Sequence, residues 1–182
     1  MNRARPLVRA GFLAAAAAAI HVPFAGAGVK PLKIDAFRVT HVLTLPGTPG
    51  EIYDAITGDL SGWWDHTFSG KPARFTLDPR PGGQFLEVFD DSGDGVVHAT
   101  VIYAKRGEIL RFDGPMGLSG NAIHMVHTYR FETAGADSTR LVLVVNAAGQ
   151  METGWEGAVD SSWKHFLFER FQPYVLEGRH RQ

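Results

Sequence analysis

Apolar and polar positions alternate between Ala36 and Leu45, in the segment AFRVTHVLTL. A period of two predicts a β-strand that buries one face. The next segment, TPGEIYDAI, predicts a short helix, because Thr48 can cap it and Glu51 can complete a capping box. A second short helix is expected over DLSGWWD, with Asp59 as its cap.

The middle of the chain consists of short apolar runs separated by turn residues, which predict about six further strands. In two expected hairpins, RPGG joins ARFTLDP to QFLEVFD, and TAGADST joins IHMVHTYRFE to RLVLVVN. Between them lie the runs VVHATVIYAK and ILRFDG. This succession is typical of an antiparallel sheet.

The C-terminal segment has a helical period instead. Its apolar positions form one stripe of a long amphipathic helix: Trp155, Val159, Trp163, Phe166, Leu167 and Phe171. Pro173 has no N–H to donate to the carbonyl of Glu169, so we expect a kink or an early stop near Gln172.

The predicted fold class is therefore α+β: a sheet of about seven antiparallel strands, two short helices after the first strand, and a long helix that covers the apolar face of the sheet. The space between sheet and helix is a common place for a pocket.

The first 27 residues have the composition of a secretion signal. Three arginines precede the apolar run AGFLAAAAAAI, and the AGA at positions 25–27 matches the small-x-small pattern of signal peptidase sites. The run is too short to span a bilayer. We therefore expect cleavage after Ala27, a periplasmic or secreted protein without a membrane anchor, an exposed lead-in over residues 28–35 and a single domain over residues 36–178.

Composition narrows the expected partners. The formal net charge is −1 and no basic stripe occurs, which argues against nucleic acid as a partner. The absence of cysteine excludes disulfides and thiol chemistry. The chain has no Gly-x-Ser-x-Gly elbow, and its glycine pairs lie in turns rather than before a helix, so we expect neither a serine nucleophile nor a nucleotide cofactor.

The order of elements resembles the START-like helix-grip fold of the SRPBCC superfamily. The segments LDPRPGGQFLEVF and VVHATVIYAKRGEILRF resemble the branch related to activators of heat-shock-protein-90 ATPase. More narrowly, WWDHTFSG, DPRPGGQFLE and the final helix are similar to small exported bacterial SRPBCC proteins without an assigned activity. The resemblance covers about residues 36–178 and implies a deep cavity for an apolar or aromatic ligand. Such exported proteins often carry cysteines on both sides of the Phe in this strand, where this chain has Gln84 and Leu86.

Glu87 is the first candidate catalytic residue. On a strand it shares a face with Phe85 and Phe89. If those rings point inwards, the carboxylate is desolvated and its pKa should rise, which suits a general acid or base. The alternative is that Leu86 and Val88 face the core and Glu87 faces water; the resemblance favours an inward Glu87.

Two histidines could act with Glu87. His66 follows the Trp63-Trp64 pair at the expected mouth of the cavity, where it could donate a hydrogen bond, relay a proton or simply cap a surface loop. His98 lies on the strand after the Glu87 hairpin and could approach the carboxylate across the ladder, depending on the register.

A histidine pair on a later strand is a weaker candidate. His124 and His127 are three positions apart and should point to opposite faces of their strand, so we expect no metal site there. His127 could line the cavity or lie in the core. The expected ligand-binding residues are Trp64, Phe68, Phe85, Glu87, Tyr103, Phe112, His127, Trp163 and Phe166.

Three functions follow from these observations. The first is an exported protein that binds a small hydrophobic or aromatic molecule in the cavity, without a metal or cofactor. The alternative is an acid/base enzyme of the cyclase or dehydratase kind, with Glu87 and either His66 or His98 as catalytic residues. The third is a co-chaperone-like module that binds another protein, which the expected export argues against because the partner of the activators and its ATP are cytoplasmic.

Overall fold

The computed structural model describes residue 29 and residues 31–182, so the predicted signal segment and its cleavage site lie outside the described residues. One antiparallel sheet of eight strands dominates the unit from Leu32 to Gln182. Its strands in chain order are β1 (Ile34–Pro46), β2 (Gly58–Asp59), β3 (Arg74–Leu77), β4 (Gln84–Val88), β5 (Gly95–Lys105), β6 (Ile109–Asp113), β7 (Ile123–Gly135) and β8 (Ser138–Gln150). In space their order is β1-β8-β7-β6-β5-β4-β3-β2, so that β1 pairs with β8 and the remaining neighbours are consecutive in the chain.

The helix α1 (Pro49–Ile56) forms as its capping box predicts. The Thr48 side chain accepts a hydrogen bond from the backbone N–H of Glu51, and the Glu51 carboxylate accepts one from the backbone N–H of Thr48. The prediction of a second short helix over DLSGWWD is wrong. Asp59 pairs with Thr76 in the short strand β2, and only a single turn follows, in which the N–H groups of the two adjacent tryptophans both donate to the carbonyl of Leu60.

The long C-terminal helix forms, and it does not stop before Pro173. It consists of α2 (Trp155–Lys164), a π-helical segment (His165–Phe171) and α3 (Gln172–Leu176). In the π-helical segment the N–H of Gln172 donates to the carbonyl of Leu167, five residues back. We attribute this wider turn to Pro173, which cannot donate the next bond of a regular α-helix.

The core lies between one face of the sheet and this helix. The helix buries the stripe of Trp163, Phe166, Leu167 and Phe171 that its sequence predicts, together with Val175. Trp155 and Val159 pack against the same core but are only partly buried. The predicted α+β architecture is confirmed, and the extra strand is the two-residue β2. Among the described residues, no helix is long and apolar enough to cross a membrane.

Candidate functional site

A cavity of about 330 Å³ lies between the sheet and the C-terminal helix. Its wall draws on the loop after β2, the turn between β6 and β7, α2 and the first π-helical turns, with one residue each from β5 and β7. The lining residues are Trp64, His66, Thr67, Phe68, His98, Pro115, Met116, Gly117, Leu118, Met125, Ala158, Val159, Ser162, Trp163 and Phe166. Most are apolar, so the wall suits an apolar molecule.

Aromatic rings form one side of this wall. The rings of Trp64 and Phe166 stack with centroids 3.7 Å apart and planes within 14°, and Trp163 meets both rings edge-on. The indole N–H of Trp64 donates to the backbone carbonyl of His66, which fixes the loop against the helix. Phe68 lines the cavity and is 56% exposed.

Glu87 points inwards beside Phe85, and its side chain is fully buried. Its carboxylate accepts hydrogen bonds from the backbone N–H groups of Phe68 and Ser69, at 2.9 and 2.8 Å, and from the Ser69 hydroxyl at 2.8 Å. The fourth neighbour is His98, whose Nε2 lies 3.2 Å from Oε2 of Glu87. The carboxylate is therefore surrounded by donors, even though no water reaches it.

The expected rise in the pKa of Glu87 is wrong. Burial alone would raise this pKa, but the hydrogen bonds from Phe68, Ser69 and His98 outweigh burial and hold it below its usual value. Glu87 is ionised at neutral pH, so it does not act as a proton donor there. The position of Glu87 between two phenylalanines in the sequence indicates desolvation, whereas the donors that reverse its effect come from a distant loop.

A β-bulge brings His98 to Glu87. Phe85 pairs with Ala99 and Leu86 pairs with Val97, which leaves His98 as an extra residue without a partner on β4. The bulge allows His98 and Ala99 to be buried together, although adjacent residues of a regular strand face opposite ways. His98 thereby reaches both the carboxylate and the cavity.

His98 is neutral at neutral pH. Burial lowers its pKa, and this effect is only partly opposed by the hydrogen bond and charge of Glu87 and by the backbone of Met116. An ionised carboxylate can only accept hydrogen bonds, so the network assigns the ring proton to Nε2 and leaves Nδ1 as an acceptor.

His66 is separate from this pair. Its side chain is 63% exposed, and its Nδ1 lies 2.8 Å from a carboxylate oxygen of Asp65. It lines the edge of the cavity. Among the hydrogen bonds of the described residues, none joins His66 to Glu87, so of the two expected partners only His98 reaches the carboxylate.

Eight of the nine expected ligand-binding residues fall into two groups. Trp64, Phe68, Trp163 and Phe166 lie in the cavity wall. Phe85, Glu87, Phe112 and His127 are buried but do not reach this wall.

Tyr103 belongs to neither group. It is 46% exposed and lies on the outer face of the sheet, opposite Arg111. The expectation that it faces the cavity is wrong because a second bulge, at Ile102, reverses the alternation that starts from the buried Val101.

Several lining residues were not expected. Met116 and Leu118 come from the short turn between β6 and β7. Met116 has a φ of 52°, a left-handed conformation that is costly for a side chain of this size. Met125 and Ser162 carry apolar or small side chains, and no residue pattern separates them from ordinary core or surface positions.

His124 and His127 point to opposite faces of β7, as their spacing predicts. His127 is fully buried and stacks on Phe112 with ring centroids 4.8 Å apart. Neither of its ring nitrogens has a hydrogen-bond partner among the described residues. Burial lowers the pKa of His127 to about 3, so this residue stays neutral in the core.

No family model matches this chain, and no curated protein matches it. Solved structures do match. A protein of unknown function from Staphylococcus aureus is similar with a TM-score of 0.61 and 13% identity, over 82% of this chain and 99% of that chain. An uncharacterised protein from Rhizobium leguminosarum has a TM-score of 0.56 and 17% identity, over 80% of this chain and 99% of that chain.

A third similar structure is a point mutant of norcoclaurine synthase from Thalictrum flavum in complex with a transition-state analogue. Its TM-score is 0.51 and its identity 12%, over 82% of this chain and 99% of that chain. At such identities the likeness concerns the fold alone. With its single antiparallel sheet and long C-terminal helix, the described part of this chain has a helix-grip fold.

Proposed function

We propose that this protein binds a small, flat, largely apolar molecule in the cavity between the sheet and the C-terminal helix. The observation that carries the proposal is the cavity wall, in which stacked aromatic rings face methionine and aliphatic side chains. Its volume of about 330 Å³ is near the lower end of small-molecule pockets, which suits a ligand of two fused rings. The exposed ring of Phe68 in the cavity wall is consistent with the proposal, because a bound ligand would cover it.

Polar groups in the wall indicate what else the ligand carries. Nδ1 of His98 is an acceptor without a proton, so it favours a ligand with a hydroxyl group. Ser162 and Thr67 add further hydroxyl groups to the wall. The ligand class we propose is therefore a phenol or a similar hydroxylated aromatic compound.

Calorimetric titration with 2-naphthol tests this function. We expect one binding site per chain. Ser162→Phe places a ring in the cavity and should weaken binding at least tenfold, whereas Ser161→Phe adds the same ring to an exposed helix position outside the wall and should leave the affinity unchanged. The absence of 2-naphthol binding to the parent protein, or equal affinities of the two variants, would overturn the proposal.

A second candidate function is acid/base catalysis on the same class of ligand. The observation in its favour is the buried pair in which Glu87 orients His98 in the cavity wall. His98 would take a proton from the substrate on Nδ1, and the Glu87 carboxylate would stabilise the resulting imidazolium. This arrangement replaces the role first expected for Glu87, which is too well hydrogen-bonded to exchange the proton itself.

The two functions differ in a measurable way. Small molecules extracted from the producing organism can be incubated with the parent protein and with His98→Gln, and followed by mass spectrometry. Compounds that the parent protein retains but does not consume indicate a carrier. Compounds that disappear with the parent protein but not with His98→Gln indicate an enzyme.

We further propose that the protein acts outside the cytoplasm, after cleavage behind Ala27, and that its kinship is with the small exported SRPBCC proteins. The apolar run and the AGA site support this location. The intact mass of the protein from its own cells tests it, since a full-length product would contradict export.

A further inference from the structure

A cluster of metal-ligand side chains lies at the edge of the cavity, outside the Glu87–His98 pair. Its members are Asp65, His66 and His165, which come from the loop after β2 and from the first turn of the π-helical segment. Nδ1 of His66 lies 2.8 Å from Oδ1 of Asp65, and Nε2 of His165 lies 2.9 Å from the same oxygen. All three ligand atoms lie within 4.8 Å of one another.

The cluster is held in place by its neighbours. Nδ1 of His165 lies 2.8 Å from the carboxylate of Glu169, one helical turn later, and this contact directs Nε2 towards Asp65. A carboxylate on the far nitrogen is the usual support of a metal-binding histidine. The ring of His66 packs edge-on against Phe166, with centroids 5.0 Å apart, so its orientation is also restricted.

We propose that Asp65, His66 and His165 bind a divalent transition-metal ion, for which Zn²⁺ is the best match. Two imidazoles and one carboxylate are a donor set that zinc accepts. Donor atoms around a tetrahedral zinc ion lie about 3.4 Å apart. Small rotations of these partly exposed side chains would bring the present spacing to that value.

The position of the cluster gives the ion a chemical role. Three protein ligands leave at least one coordination position for water or for a ligand atom. His66 and Phe166 also line the cavity, so this open position lies at its edge. The guanidinium of Arg170 is the competing cation, because its Nε lies 3.2 Å from Oδ2 of Asp65. Metal binding goes beyond the proposed function and does not depend on it, since His66 is the only one of the three proposed ligands that lines the cavity.

Zinc titration of the untagged protein, in competition with a chromophoric chelator, tests the site. We expect one Zn²⁺ per chain. His66→Ala and His165→Ala should each weaken binding at least tenfold, and Glu169→Gln, which removes only the support of His165, should weaken it about tenfold. His124→Ala is the matched control, because His124 is exposed and lies 3.2 Å from a single carboxylate, that of Asp113.

Circular dichroism checks that each variant keeps the fold, as expected for changes at side chains in contact with solvent. The proposal is overturned if the parent protein binds Zn²⁺ no more tightly than the His66→Ala/His165→Ala double variant, or if the loss follows His124→Ala instead. Failure of 2-naphthol binding would leave these zinc affinities unchanged, so the two proposals fail independently.

Discussion

The imidazole of His98 lies 3.2 Å from the buried carboxylate of Glu87, and the same carboxylate accepts hydrogen bonds from Phe68 and Ser69. One side chain thus joins strand β4, the bulge of β5 and the loop that carries part of the cavity wall. Glu87 thereby holds the loop of Phe68 and Ser69 in place. The pH dependence of stability provides a direct test of this role.

Glu87→Gln should lower the free energy of unfolding by about 2 kcal/mol at pH 7, because charge-assisted hydrogen bonds are lost and at least one buried donor loses its partner. The pKa of Glu87 is lower in the folded state than its unfolded value of about 4.3. Its stabilising contribution is therefore complete above the unfolded value and is lost as the pH falls through the folded pKa. Denaturant unfolding at pH 7 and at pH 3 measures this difference.

The control for this prediction is Glu108→Gln, at an exposed surface position that pairs with Lys105. It should leave the free energy of unfolding nearly unchanged. A Glu87→Gln variant as stable as the parent at pH 7 would show that the four contacts do not stabilise the carboxylate.

His98 should titrate below the usual histidine value of about 6.5, because burial disfavours its charged form. Glu87→Gln removes the negative charge that opposes this effect, so the pKa of His98 should fall further in that variant. NMR titration of the histidine ring signals measures both values. His165, whose pKa is raised by Glu169 and Asp65, should keep its midpoint in the variant. An unchanged His98 midpoint would mean that the pair is not coupled.

His127→Leu should be at least as stable as the parent protein at pH 7, because the histidine buries two ring nitrogens without partners. Its folded pKa of about 3 is below the unfolded value. The unfolded chain therefore takes up a proton first as the pH falls, and the parent protein loses about 1.4 kcal/mol per pH unit at this residue between those values. The stability advantage of His127→Leu over the parent protein should grow as the pH falls from 6.5 towards 4. Thermal melts of both proteins across this range measure it. A stability difference that stays constant with pH would contradict the lowered pKa of His127.

Trp163→Ala should cost about 3–5 kcal/mol of stability, as aromatic truncations in cores do. The ring is buried against Tyr129 and Trp64 and also forms part of the cavity wall, so binding of 2-naphthol should weaken as well. Trp155→Ala is the comparison, because Trp155 is only partly buried and lies outside the wall. Chemical denaturation and calorimetry measure the two effects. A loss below about 1 kcal/mol with unchanged affinity would contradict this placement of Trp163.

The fold could be predicted because it rests on local periodicity. Alternation predicts the long strands, the helical stripe predicts the C-terminal helix, and the capping box of Thr48 and Glu51 predicts the start of α1. A β-bulge interrupts this periodicity, because it adds one residue and reverses every later side chain. The bulge at Ile102 turns Tyr103, which was expected in the cavity, to the outer face of the sheet.

The chemistry of the site depends on contacts between distant segments, which periodicity does not encode. Ser69 reaches Glu87 across 18 residues of sequence, and this contact reverses the expected direction of the pKa shift. His165 reaches Asp65 across 100 residues. The strand pattern of Glu87 allowed both an inward and an outward orientation, and the family resemblance favoured the inward one that the structure has.

The proposal that the cavity binds an aromatic molecule is tested most directly by NMR of the methionine methyl groups. Met116 and Met125 line the cavity, whereas Met151 packs beside the core outside it. In protein labelled with 13C at these methyl groups, 2-naphthol should shift the signals of Met116 and Met125, leave Met151 in place, and shift none of them in Ser162→Phe. Signals of Met116 and Met125 that stay fixed at saturating 2-naphthol, or a shift confined to Met151, would contradict the proposed site.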